Sequence, residues 1–256
     1  MLASRDDLPP RLIQVAAFAL ENPDEIALGT AASIAAQASV QPSTLIRFAK
    51  RFGYAGFSDL QDVFRSELKS GSSDYRERLA RLKLARDAGG PHPLLSGFAE
   101  SAMMSLDRLI SNGSEEDIER AAGILAKAEV IYLLGMRRAF PVTVYLAYAL
   151  GKLGIRSVVV DHVAGLGPEQ VTEATERDAL VAISFTPYTP MTVELTERLH
   201  KRGVPIVALT DSAFSPLSPN ATVKFEIPEA DFSGFRSLAA TLCVAMALAV
   251  ATAAKR

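Results

Sequence analysis

The chain of 256 residues holds one cysteine, Cys243. That excludes an internal disulfide and leaves no thiol cluster for a structural metal; inside the apolar run "ATLCVAMALAV" the residue reads as a small buried hydrophobe. The opening "MLASRDDLPPRLIQ" lacks the basic stretch, apolar core and small-residue cleavage site of a secretory signal, so a cytoplasmic protein is expected. Charge of either sign is not in excess: 27 Lys and Arg face 29 Asp and Glu, a net of −2, which argues against wholesale coating of nucleic acid and leaves local distribution to decide. A P-loop, a nucleophile elbow, metal-ligand spacing and the G-x-G-x-x-G fingerprint are all missing, so neither a metal nor a nucleotide cofactor is expected. Ser237 to Ala254 is uncharged and long enough for a bilayer span, but alanine and threonine, which gain little in lipid, make up its bulk. It reads as a core or interface helix, and no membrane partner is expected.

What the chain does have is apolar surface, with 49% hydrophobic residues, enough for a proper core. From Leu8 to about Leu68 the apolar spacing is helical, broken at Asn22-Pro23, Gln41-Pro42 and Gly53 to Gly56. Residues 71–97 mix a Gly-Ser start, a charged segment and a Gly-Pro close, the composition of a connector. Helices are predicted from about Phe98 to Leu109 and from Ser114 to Ala126, the second capped by Ser114 with an acidic first turn. Beyond them short runs apolar on both faces ("EVIYLLG", "RSVVVD", "DALVAIS", "VPIVALTD", "TVKFEI") alternate with helices, including one near Pro168 to Thr175. That alternation predicts a Rossmann-like α/β/α domain over 98–256 with a parallel sheet of about five strands, and ligands in such sheets bind beyond the strands' carboxyl ends.

Within the helical part, Thr30 to Phe57 has the makeup of a helix-turn-helix: Thr30 caps a short alanine-rich helix, Ala38-Ser39-Val40 turns, and Pro42 opens a second helix. An all-α DNA-binding domain over 1–70 follows. Leu45, Phe48, Ala49 and Phe52 face its core, leaving Gln41, Ser43, Thr44, Arg47, Lys50 and Arg51 outward as the DNA-contacting set. Between Ile26 and Ser58 the only charges are Arg47, Lys50 and Arg51, so cations for phosphates stand beside short polar groups for base edges in an acid-free block. Ser39 stands where such turns prefer glycine; a left-handed conformation there costs about 1 kcal/mol.

These residues carry a resemblance. Glu21-Asn22-Pro23, then the helix-turn-helix, then Arg47-Phe48, Gly53, Gly56-Phe57 and Leu60 resemble the N-terminal domain of the RpiR (MurR/RpiR) family of bacterial regulators. The resemblance implies a C-terminal sugar-isomerase-like (SIS) domain that senses phosphosugars through a glycine-rich loop after the first strand and a Ser-x-Ser-Gly-x-Thr loop after the third core strand. Those loops map onto Gly135, Arg137 and Arg138, and onto Ser184, Thr186, Tyr188 and Thr189 with Thr192 beyond, which together form the expected effector-binding set. Independently of the family, hydroxyls beside a helix start suit an anion, although a turn that merely caps the helix is the plainer reading. Pro187 replaces the family's glycine and removes a backbone donor. Arg137 and Arg138 either compensate as ligand contacts or make salt bridges or partner-subunit contacts.

The partners expected are double-stranded operator DNA and a small-molecule effector, a sugar phosphate or related anion. Half-site recognition requires a homodimer or a dimer of dimers. The rival function is a sugar-phosphate isomerase or lyase, whose base would come from His162, Glu169 or Glu229, none of them in a recognisable catalytic motif.

Overall fold

The computed structural model describes residues 8–71, 79, 82–83, 94–227 and 229–256. The chain divides into two compact units, one of Met1–Gly97 with Asp231–Phe235 and the other of Phe98–Ala230 with Arg236–Arg256. Most of the expected connector over 71–97, including nearly all of its charged segment from Tyr75 to Arg86, lies outside the described residues.

The first unit is built on α1 (Pro10–Glu21), α2 (Pro23–Leu28), α3 (Ala31–Gln37), α4 (Pro42–Arg51) and α5 (Phe57–Gly71). Proline opens α1, α2 and α4, where its missing N–H would have had no intrahelical partner. Thr30 caps α3 reciprocally: its Oγ1 accepts from Ser33 N–H at 3.1 Å, and its own N–H donates to Ser33 Oγ at 2.9 Å. Ser39 takes the left-handed conformation its place in the turn demands, with φ 53°. Ile26, Ile34, Leu45, Phe48, Phe57 and Leu60 are buried in the core between these helices. Gln61, also buried, donates through Nε2 to the carbonyls of Ile26 (2.9 Å) and Gly29 (2.7 Å), so α5 supplies donors to the end of α2 that the helix itself lacks.

The chain continues through α6 (Leu94–Asn112), α7 (Glu115–Lys127), β1 (Ile131–Gly135), α8 (Phe140–Lys152), β2 (Ser157–Val160), α9 (Gly167–Gln170) and β3 (Ala179–Ile183). It then passes through α10 (Pro190–Lys201), β4 (Ile206–Thr210), β5 (Val223–Glu226), the short pair β6 (Asp231–Phe232) and β7 (Phe235–Arg236), and α11 (Ala239–Ala254). As predicted, Ser114 caps α7, accepting from Asp117 N–H at 3.1 Å.

Five parallel strands lie in the order β2-β1-β3-β4-β5. Alternate strand residues point to opposite faces, so Ile131, Leu133, Val181, Ile183, Val207 and Leu209 pack in one core with α7, α8 and α11. Tyr132, Leu134, Leu180, Ala182, Ile206 and Ala208 form the other with Leu195 and Leu199 of α10. Each fully buried leucine or isoleucine contributes about 1.5–3 kcal/mol relative to exposure. Helices on both faces explain why the strands read as continuous apolar runs.

Three expectations change. The helix near Pro168 to Thr175 shrinks to the four residues of α9, and the β6–β7 pair had no alternating signal. Cys243 is half-buried, because α11 turns Ala240, Val244, Ala245, Leu248 and Ala249 into the core and leaves Met246 and Val250 exposed. Among the described residues no helix is long and apolar enough to cross a membrane.

Candidate functional site

The first site is the outer face of α4. Gln41, Ser43, Arg47, Lys50 and Arg51 are exposed on it. Thr44 departs from the expectation: it is only 3% exposed, and its Oγ1 accepts from Arg47 Nη2 at 3.4 Å. The buried arc of α4 is Thr44, Leu45, Phe48 and Ala49, two neighbours per turn, and Thr44 belongs to it by helical phase whatever its polarity. A shallow depression of about 310 Å³ lies where α1, α3 and the start of α4 meet, lined in part by Arg11, Ser39, Gln41, Thr44 and Arg47. Arg11, which sequence reading missed, is exposed on α1 and donates to Ser39 O at 3.4 Å. It adds a cation to this rim across 28 residues of sequence, and no local spacing announces it.

The second site follows from the strand order. After β1 the chain crosses to β2 on one side, whereas β3 flanks β1 on the other, so the loops leaving β1 and β3 diverge from neighbouring strand ends. Gly135 and Ile183, the last residues of those strands, are paired in register. Glycine is required at 135 because a Cβ would lie 2.9 Å from Thr143 Cγ2 and 3.2 Å from Ala139 Cβ. Arg137 is exposed with φ 54°, and the Arg138 guanidinium stacks 4.7 Å from the centroid of the Phe185 ring, joining the two loops.

The loop from Ser184 to Thr189 is ordered by one hydrogen bond of its own and by two side chains from elsewhere in the chain. Ser184, buried, accepts Thr189 N–H on Oγ at 3.3 Å, and the Thr186–Pro187 peptide is cis. Asp211, one residue beyond β4 and missed by sequence reading, accepts Thr186 N–H on Oδ2 and the Tyr188 hydroxyl on Oδ1, each at 2.9 Å. Arg236 Nη1 donates to Thr186 O at 2.9 Å and reaches Asp211 Oδ2 at 3.3 Å. Burial, and after it the Asp211 charge, pushes the Tyr188 phenol well above its usual range.

The structure therefore brings Gly135, Arg138, Ser184, Thr186, Tyr188 and Thr189 to the carboxyl ends of β1 and β3 but gives them unequal freedom. The Tyr188 hydroxyl is already engaged, Ser184 is buried with its Oγ on Thr189 N–H, and Thr189 is buried as well. Thr192 is fully buried in α10 and its Oγ1 finds no hydrogen-bond partner among the described residues, so it is a core position rather than a lip of the loop.

Of the candidate bases, Glu229 accepts Thr241 N–H and Oγ1–H on Oε1, both at 2.8 Å, and so caps the start of α11. The His162 ring packs where a Cβ at Gly167 would lie, and Glu169 is exposed. Among the described residues no three His, Cys, Asp or Glu side chains are grouped to hold a metal ion.

Comparison with known proteins adds the family. Residues 5–71 match the model of the helix-turn-helix domain, rpiR family, and residues 124–251 match that of the SIS domain. The HTH-type transcriptional regulator HexR of Pseudomonas aeruginosa is 24% identical over 225 residues, covering 87% of this chain and 75% of that protein. Among solved structures, the sugar isomerase domain of an RpiR transcription factor from Sphaerobacter thermophilus aligns with a TM-score of 0.60 at 24% identity, over 64% of this chain and 91% of that one. The Vibrio vulnificus NanR protein complexed with ManNAc-6P aligns with a TM-score of 0.55 at 22% identity, over 97% and 86%. At these identities the two structures speak for the fold.

Proposed function

This chain belongs to the rpiR family of helix-turn-helix proteins and carries a SIS domain, and we propose that it regulates transcription by binding operator DNA under the control of a small anionic sugar derivative. The observation that carries the reading is the outer face of α4: three cations and two short polar residues stand exposed there, in a block with no acidic residue between Ile26 and Ser58. Cations near phosphates position such a helix, and Gln41 and Ser43 at its N-terminal end are placed to read base edges. Two such helices, from a homodimer or dimer of dimers, would read a palindromic site.

The effector belongs at the switch point between β1 and β3, where Arg138 and the hydroxyls of Ser184 and Thr186 meet a helix start. A sugar phosphate is the favoured class, in keeping with the ligand of the NanR structure. An effector changes DNA affinity only through a difference in its affinity for the DNA-competent and incompetent states. Against the isomerase reading stand the helix-turn-helix domain and a relative named as a transcriptional regulator, and of the candidate bases Glu229 spends Oε1 on capping α11. The test is to titrate a panel of sugar phosphates and sugar acids into the protein bound to its own upstream DNA while following loss of each sugar. A shift in DNA affinity without turnover supports regulation; turnover with no shift overturns it.

A further inference from the structure

We infer that Asp211 is an internal competitor for the effector's anionic group: its carboxylate holds the donors of the loop after β3, and an incoming anion binds there by displacing it. The inference rests on the reading of that loop as the anion cradle. Three donors converge on the carboxylate, namely Thr186 N–H at 2.9 Å, the Tyr188 hydroxyl at 2.9 Å and Arg236 Nη1 at 3.3 Å. A backbone N–H, a hydroxyl and a guanidinium around one pair of oxygens is the set a phosphoryl group would seek. The segment offers few substitutes, because Pro187 and Pro190 carry no N–H and Thr189 N–H is spent on Ser184 Oγ.

Two anions cannot share these donors, since like charges at contact in a partly shielded site repel strongly. The Asp211 side chain is 16% exposed, so solvent screens it little. Binding therefore depends on what the effector offers beyond the carboxylate it replaces. A monocarboxylate exchanges like for like and gains little. A phosphomonoester brings more charge and a third terminal oxygen, enough to keep the loop donors and accept a further hydrogen bond. The geometry thus selects a sugar phosphate over a sugar acid and sets its affinity below what the same donors would give unopposed.

The experiment is calorimetric titration of the full chain with inorganic phosphate and with gluconate, comparing the parent protein with Asp211→Asn and Asp211→Ser, each shown to melt as the parent does. Phosphate is expected to bind the variants about tenfold tighter or more, and gluconate to gain at least as large a factor because its competitor has gone. Folded variants that bind phosphate no tighter than the parent overturn the inference while leaving the cradle in place. Phosphate binding by none of the three proteins removes the cradle itself, and the inference with it.

Discussion

Replacing Arg47 by alanine removes one cation from the exposed group of Arg11, Arg47, Lys50 and Arg51 among the described residues of the first unit. Each phosphate neutralised by a protein cation contributes about −0.9 to the slope of log affinity against log salt. If all four meet phosphates, the slope is about −3.6 per bound chain, and Arg47→Ala brings it to about −2.7. A fourfold rise in salt then weakens the parent about 150-fold per chain and the variant about 40-fold. Fluorescence anisotropy on a labelled duplex from the upstream region, repeated across a salt series, measures both slopes. The competing account is local: Arg47 Nη2 donates to Thr44 Oγ1, and its loss could simply loosen α4. A structural defect lowers affinity by the same factor at every salt concentration, so a weakened variant with an unchanged slope refutes the phosphate contact. Gln41→Ala is the counterpart, expected to keep the slope and relax the preferred sequence by about 1–3 kcal/mol.

Gln61→Leu strands the carbonyls of Ile26 and Gly29 and is expected to cost about 2–4 kcal/mol of local stability, read as faster amide exchange in α2; unchanged exchange would count against the contact. Arg138→Ala should weaken the effector roughly 10- to 100-fold in a direct titration, the worth of a charge-assisted hydrogen bond, and full retention would move the ligand away from the β1 loop. Tyr188 predicts an alkaline effect. Its phenol is held above the usual value, so beyond a pH of about 10 the unfolded chain has released a proton the native chain keeps, and stability falls as pH rises. Tyr188→Phe should therefore lose less stability on going from a pH of about 9 to about 11 in denaturant melts; equal losses would show the phenol to be unperturbed.

The elements visible in the sequence were those fixed by neighbours along the chain. The Thr30 cap, the left-handed Ser39 and the prolines opening helices each depend on a few consecutive residues, and the apolar runs of β1, β3 and β4 declare burial on both faces without reference to their order. Thr44 shows where that reading slipped: its hydroxyl suggested an outward position, whereas the period of α4 already placed it beside Leu45 and Phe48 on the inner face. Thr192, read at the head of the next helix as a ligand contact, slipped in the same way: it lies in the first turn of α10 but in its buried stripe. Asp211 and Arg236 stood beyond any local pattern. They meet Thr186 across 25 and 50 residues, and only the parallel order of β3 and β4 brings the first of them beside the loop.

The Gln61 clasp has a mechanical consequence. With α5 fastened to the last carbonyls of α2, and packed against α4 as well, the reading helix cannot tilt alone. The helix α5 itself is about 22 Å long, the span of the fifteen residues from Phe57 to Gly71, with the clasp near its start. Were α5 to swing at its far end, α2 and α4 would be carried with it, and the outer face of α4 would be re-aimed by leverage rather than by a change of shape among the helices.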